Sequence, residues 1–114
     1  MQEERGTKGD KFMRIFVFFD LPTNTKKERK EASKFRKFLL DDGYDMLQYS
    51  VYVRICKGTD AIDKHKRHIQ TKLPQKGNIR FLAITNATYE RMENILGDCT
   101  QNEKKKGSKQ LLLF

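Results

Sequence analysis

Asp20 closes the apolar run Ile15-Phe16-Val17-Phe18-Phe19 and stands immediately before Leu21-Pro22. A carboxylate in that position is anchored by the strand behind it, and its ordinary role is to form the turn. Alternation along the strand gives it a second reading. Ile15, Val17 and Phe19 point to one face, while Phe16, Phe18 and Asp20 point to the other. If that second face meets another copy of the chain across a two-fold axis, two Asp20 carboxylates come together. Such a pair repels unless a cation lies between. Mg²⁺ suits the arrangement, because one or two carboxylates with water and phosphate complete its octahedron, and Mn²⁺ is an alternative. An ion held there activates water or stabilises charge on an attacked phosphodiester.

The second chemical feature is a row of cations. At 100° per residue, Ala32, Phe35, Phe38 and Leu39 share one side of a helix beginning at Lys26. Lys26, Lys30, Lys34 and Lys37 line the opposite side, with Arg29 and Arg36 on its flank. Cations spaced by a rise of about 6 Å over four residues can follow a phosphate backbone, where counterion release drives binding. The same stripe also fits a plain solvated helix face.

Other constellations are poorer. His65 and His68 lie three apart with no accompanying Cys or carboxylate pattern, which argues against a metal site. Ser50 has no evident His partner, so a catalytic triad is unsupported. No glycine-rich phosphate loop is present, and the aromatic signature of RNA-recognition strands is missing. Tyr49 and Tyr52 can stack on bases, although aromatic strand residues usually fill cores.

The elements that must position these groups follow from pattern and punctuation. Residues 14–20 are expected as a strand, broken by Pro22, after which Thr23-Asn24-Thr25 offers N-cap chemistry. A helix over 26–42 ends at Gly43. Residues 44–55 are extended, either as one bent strand or as two meeting near Gln48. Asp60 is the expected cap of a second helix that ends before Pro74, and 79–85 and 92–96 are expected strands. The order fits an α+β fold: a ferredoxin-like βαββαβ two-layer sandwich, with the apolar end Leu111-Leu112-Leu113-Phe114 as an extra docking strand. Residues 1–12 are expected as a flexible extension, 13–97 as the domain, and 98–114 as linker and docking strand. A first strand apolar on both faces needs cover on both. In so short a chain a sheet-facing homodimer supplies the second cover, the alternative being the tail folded back.

Composition bounds the function. Twenty-four Lys and Arg against fifteen Asp and Glu give a net charge of +9, an attraction for polyanions. Mean hydropathy is −0.80 and no apolar run approaches the roughly 18 residues of a membrane span, so a cytoplasmic protein without a membrane partner is expected. Cys56 and Cys99 form no Cys-x-x-Cys unit and read as reduced, mostly buried thiols.

Three blocks together carry a resemblance to a known family: Met13-Arg14-Ile15-Phe16-Val17-Phe18-Phe19-Asp20-Leu21-Pro22, then Lys27-Glu28-Arg29-Lys30 with Phe35-Arg36-Lys37-Phe38-Leu39, then Gly43-Tyr44-Asp45-Met46-Leu47-Gln48-Tyr49-Ser50-Val51-Tyr52-Val53-Arg54. Over residues 13–97 the chain resembles the small CRISPR-associated endonucleases, the lesser of the two spacer-acquisition proteins, in the variety found at single-effector loci. The resemblance implies a ferredoxin-like homodimer that bridges two dimers of the CRISPR integrase and supports a short double-stranded DNA. It also implies divalent-metal-dependent cleavage of RNA or DNA, with Asp20 holding the ion. Phe19 stands where many members carry Tyr. On fold and charge alone, a non-catalytic RNA-binding module unrelated to CRISPR is the alternative.

Overall fold

The computed structural model describes residues 12–97. Strand β1 (Phe12–Asp20) is followed by helix α1 (Lys26–Asp41), a hairpin of β2 (Asp45–Gln48) and β3 (Val51–Lys57), helix α2 (Thr59–Gln70), strand β4 (Asn78–Thr85) and a short helix α3 (Asn86–Glu90). The sheet order is β2-β3-β1-β4, and every neighbouring pair is antiparallel. This is the expected ferredoxin-like βαββαβ sandwich. The strand begins at Phe12, inside the expected extension. The remainder of that extension and the expected docking strand lie outside the described residues.

β1 is central because it alone is apolar enough to be buried on both sides. Ile15 pairs with Arg54 and Ala83, and Val17 with Tyr52 and Phe81. Ile15 and Val17 are fully buried, and with Phe19 they meet Phe35 and Leu39 of α1 and Ile69 of α2. Phe19 stands edge-on to Phe35 at 5.4 Å between ring centroids and tilted against Tyr52 at 5.5 Å, arrangements that suit the aromatic quadrupole.

Both ends of α1 are specified locally. The Thr25 hydroxyl accepts from the Glu28 backbone N–H at 3.1 Å while Glu28 Oε1 accepts from the Thr25 N–H at 3.1 Å, a reciprocal capping box. Gly43, at φ +94°, ends the helix, and a Cβ there would lie 2.7 Å from Arg54 Nη1. α2 departs from expectation: its cap is Gly58, and Asp60 lies inside the first turn, where its charge meets the positive end of the helix. Residues 44–55 resolve into two strands joined at Tyr49-Ser50. The expected strand over 92–96 is absent; α3 follows β4 directly because Thr85 caps it, accepting from the Thr88 N–H at 3.1 Å.

α3 also covers part of the second sheet face. Arg14 is buried there, with its guanidinium 4.2 Å from the centre of the Tyr89 ring and its Nε donating to Asn86 Oδ1 at 2.7 Å. Phe16 packs between Phe18 and Tyr89. The cover stops there: Leu82, the cross-strand partner of Phe16, is 48% exposed, and Ile55, the partner of Arg14, is 40% exposed.

Phe35→Ala is expected to lower the unfolding free energy by about 3–5 kcal/mol, through lost burial and a cavity beneath Phe19. Thr25→Ala, which removes only a cap, is expected to cost about 1 kcal/mol. Urea denaturation of both variants checks the ranking.

Candidate functional site

Asp20 is the last residue of β1, exposed, and held by its pairing with Asn78 of β4. Its backbone carbonyl is crowded by Gly77, where a Cβ would come within 2.7 Å, so the strand end is fixed by close packing against the segment that leads into β4. Asp20 borders a groove shared with Phe19, Leu21, Thr23, Arg36, Tyr49 and Ser50. Alternation places the carboxylate on the face of Phe16 and Phe18, as the sequence implied.

Arg36 comes into the groove from α1. Its Nη2 donates to the Tyr49 hydroxyl at 3.3 Å and its guanidinium lies 5.1 Å from the Tyr49 ring centre. Its Nε is buried and finds no acceptor among the described residues. Burial pushes the Tyr52 phenol above its ordinary value, and the neighbouring Arg36 charge partly offsets this. Tyr49 is 74% exposed at the hairpin tip, and Ser50 beside it sits at φ +71°, a left-handed conformation uncommon for a non-glycine residue. The Ser50 carbonyl accepts from the Phe19 N–H at 3.0 Å, so this strained turn is tied to the residue before Asp20.

The expected cationic row separates into two groups. Lys26, Lys30, Lys34 and Lys37 are all exposed along α1. Lys37 bonds Asp41 at 3.2 Å, an exposed pair that partly neutralises it. Arg36 is half-buried and faces the Asp20 groove, and Arg29 donates to the Thr23 carbonyl at 3.1 Å, bracing the loop before α1. One strand end and one helix thus bring Asp20 and Arg36 together. The lysines remain a separate outer surface.

No second carboxylate joins Asp20 in a metal-ligating group among the described residues. A ligating group does exist elsewhere: Asp42, His65 and His68. Here the sequence reading needs correction, since the carboxylate it found lacking comes from the end of α1, 23 residues before His65. Asp42 stands next to Gly43 and reads in sequence only as part of a helix end. Burial holds the His65 imidazole below its ordinary value, against the opposing pull of Asp42. Burial likewise pushes the thiol of Cys56 up, in keeping with an inert buried cysteine.

With this geometry in place, comparison with known proteins is decisive. The family model for CRISPR associated protein Cas2 matches residues 13–92. The chain belongs to the Cas2 family. It is 48% identical to the CRISPR-associated endoribonuclease Cas2 of Campylobacter jejuni over 105 residues, covering 92% of this chain and 73% of that protein. It is 45% identical to the CRISPR-associated endoribonuclease Cas2 of Acidovorax ebreus over 102 residues, covering 90% of this chain and 100% of that protein. The crystal structure of Streptococcus pyogenes Cas2 at pH 6.5 superposes with a TM-score of 0.56 at 25% identity, over 74% of this chain and 99% of that one. Membership of the Cas2 family removes the reading as an RNA-binding module unrelated to CRISPR.

Ser50→Gly relieves the left-handed strain at the hairpin and is expected to raise stability by up to about 1 kcal/mol, the gain being trimmed by a freer unfolded chain. Ser50→Val is expected to destabilise the domain by more than 1 kcal/mol, because a β-branched residue tolerates φ +71° least. Thermal unfolding of the two variants tests the assignment.

Proposed function

We propose that this Cas2-family chain acts in the cytoplasm in spacer acquisition, as a homodimer that binds double-stranded DNA and bridges two dimers of the CRISPR integrase. The observation that carries the reading is Asp20, an exposed carboxylate at the end of a sheet face that is still partly uncovered and apolar. Leu82, Ile55 and Phe18 on that face are partly exposed, and a self-complementary two-fold contact is the economical cover, the alternative being the tail folded back. Residues 98–114 are proposed to add a linker and a docking strand to the same assembly.

Lys26, Lys30, Lys34 and Lys37 would then contact phosphates without reading sequence. Arg36, whose side chain lines the same groove, would meet a phosphate nearer Asp20.

The relatives named above are called endoribonucleases, and phosphodiester cleavage is the catalytic half of the proposal. The residues of one chain fit a divalent ion only in part. Asp20 is a single hard oxygen ligand, which matches the preference of Mg²⁺ or Mn²⁺ for few carboxylates and much water, and a second carboxylate has to come from the partner copy. When bound, such an ion would supply Lewis-acid stabilisation of phosphoryl charge. Asp20 would hold it, Gly77 would fix the strand end that aims Asp20, and Arg36 would orient the phosphate.

Integration of a short duplex by the cognate integrase is the deciding assay, run with wild-type protein, Asp20→Ala and no added protein. Dependence on the protein with tolerance of Asp20→Ala is the outcome for an architectural subunit whose nuclease chemistry is incidental. Loss of integration in an Asp20→Ala dimer that still binds DNA assigns chemistry to the paired carboxylates, and integration unaffected by omission sinks the proposal.

For the basic surface, Lys26→Glu, Lys30→Glu and Lys34→Glu combined are expected to reduce the slope of log affinity against log salt by about 3, near 0.9 per lost phosphate contact. An unchanged slope would move DNA binding off α1.

A further inference from the structure

Asp42 ends α1, and His65 and His68 lie one turn apart on α2, yet all three meet at one point. His65 Nδ1 is 3.0 Å from Asp42 Oδ2, and His68 Nδ1 is 3.4 Å from Asp42 Oδ1. One ligating atom from each residue lies within 4.8 Å of the others. A tetrahedral ion with bonds of about 2.0–2.1 Å holds its donors about 3.4 Å apart, so small side-chain rotations suffice to close the set. His65 is buried, whereas His68 has 43% of its side chain exposed.

Three features favour a cation here over two simple hydrogen bonds. The C-terminal end of a helix carries partial negative charge, and Asp42 adds a full one at that end of α1. Two imidazoles with one carboxylate form the ligand set of open zinc sites, and the exposed side of His68 leaves room for a water as fourth ligand. The Asp42 backbone carbonyl is held by the Arg54 guanidinium, an outer contact of the kind that orients a ligand. Arg54, Lys64, Lys66 and Arg67 oppose the ion by charge; of these, Lys64, Lys66 and Arg67 are exposed to solvent and Arg54 is half-buried.

We propose that Asp42, His65 and His68 form a three-ligand site for a divalent transition-metal ion, with Zn²⁺ the best match, that clips the end of α1 to α2. Each neutral imidazole shifts its proton from Nδ1 to Nε2, freeing the Nδ1 lone pair for the ion, and Asp42 contributes one carboxylate oxygen. Imidazole ligands set this site apart from any Mg²⁺ site at Asp20, which prefers oxygen.

The test is titration of the full chain with Zn²⁺ by calorimetry, with thermal unfolding in parallel and Co²⁺ as a spectroscopic stand-in. Expected are one ion per chain, the visible absorption of tetrahedral Co²⁺, and a rise in Tm of at least about 4 °C at a hundredfold excess over Kd. His68→Gln, at a partly exposed position, is expected to keep the metal-free Tm and lose at least tenfold in Zn²⁺ affinity. Absence of Zn²⁺ binding, undiminished binding in His68→Gln, or one ion shared by two chains would each overturn the assignment.

Discussion

A single sheet has two faces, and two helices can cover only one of them. β1 makes the constraint acute because it is buried between β3 and β4 and carries apolar side chains up and down. On the helix side, Ile15, Val17 and Phe19 are closed off by Phe35, Leu39 and Ile69. On the other side α3 covers the Arg14 end, and among the described residues Leu82 and Ile55 stay partly exposed. Burying an apolar surface is favoured by roughly 25 cal/mol per Å², so the open part is a standing drive toward a partner. The same drive places whatever stands at the rim of that face, which is Asp20.

A strand end suits a residue that must be held still. Asp20 inherits its position from a strand in which Met13–Phe18 are paired on both sides, and Gly77 lets β4 approach its backbone. Around it the structure becomes less regular. Ser50 is strained, Arg36 leaves a buried N–H without an acceptor, and Tyr49 stands out from the surface. Strain and unmet polar groups cost free energy, and their clustering beside Asp20 supports the role proposed for this groove.

Legibility of these features in the sequence followed the range of the interaction that makes them. The 3.6-residue spacing of Ala32, Phe35 and Leu39, with Thr25 and Gly43 at the ends, is local chemistry, so α1 could be read almost to the residue. Asp20 and its face followed from alternation, which depends only on the strand being a strand. What failed was long-range or ambiguous. Asp60 looks like a cap, yet the helix starts two residues earlier, with Gly58 at the cap. Residues 92–96 have strand-like composition, but Thr85 capped a helix first and used the space over Phe16. The meeting of Asp42 with His65 and His68 spans two helices whose relative placement is set by the core, and no spacing rule records it.

The charges of α1 run against the preference of a helix in isolation. Its seven basic and three acidic residues give a net +4, with Lys26, Lys27, Arg29 and Lys30 crowded into the first turns, where the dipole is already positive. Its last turn holds no basic residue, and Asp41 and Asp42 stand at the negative end. Each inverted charge costs a few tenths of a kcal/mol in a bare helix, and the capping box of Thr25 and Glu28 offsets only part of it. Such an arrangement is consistent with external partners of opposite sign at the two ends. A polyanion at the N-terminal end is met by the dipole and the lysines together, and a cation at the C-terminal end is met by the dipole and Asp42. The helix that builds the core thus carries an inverted charge pattern, which lowers its intrinsic stability and suits the two ligands proposed for its ends.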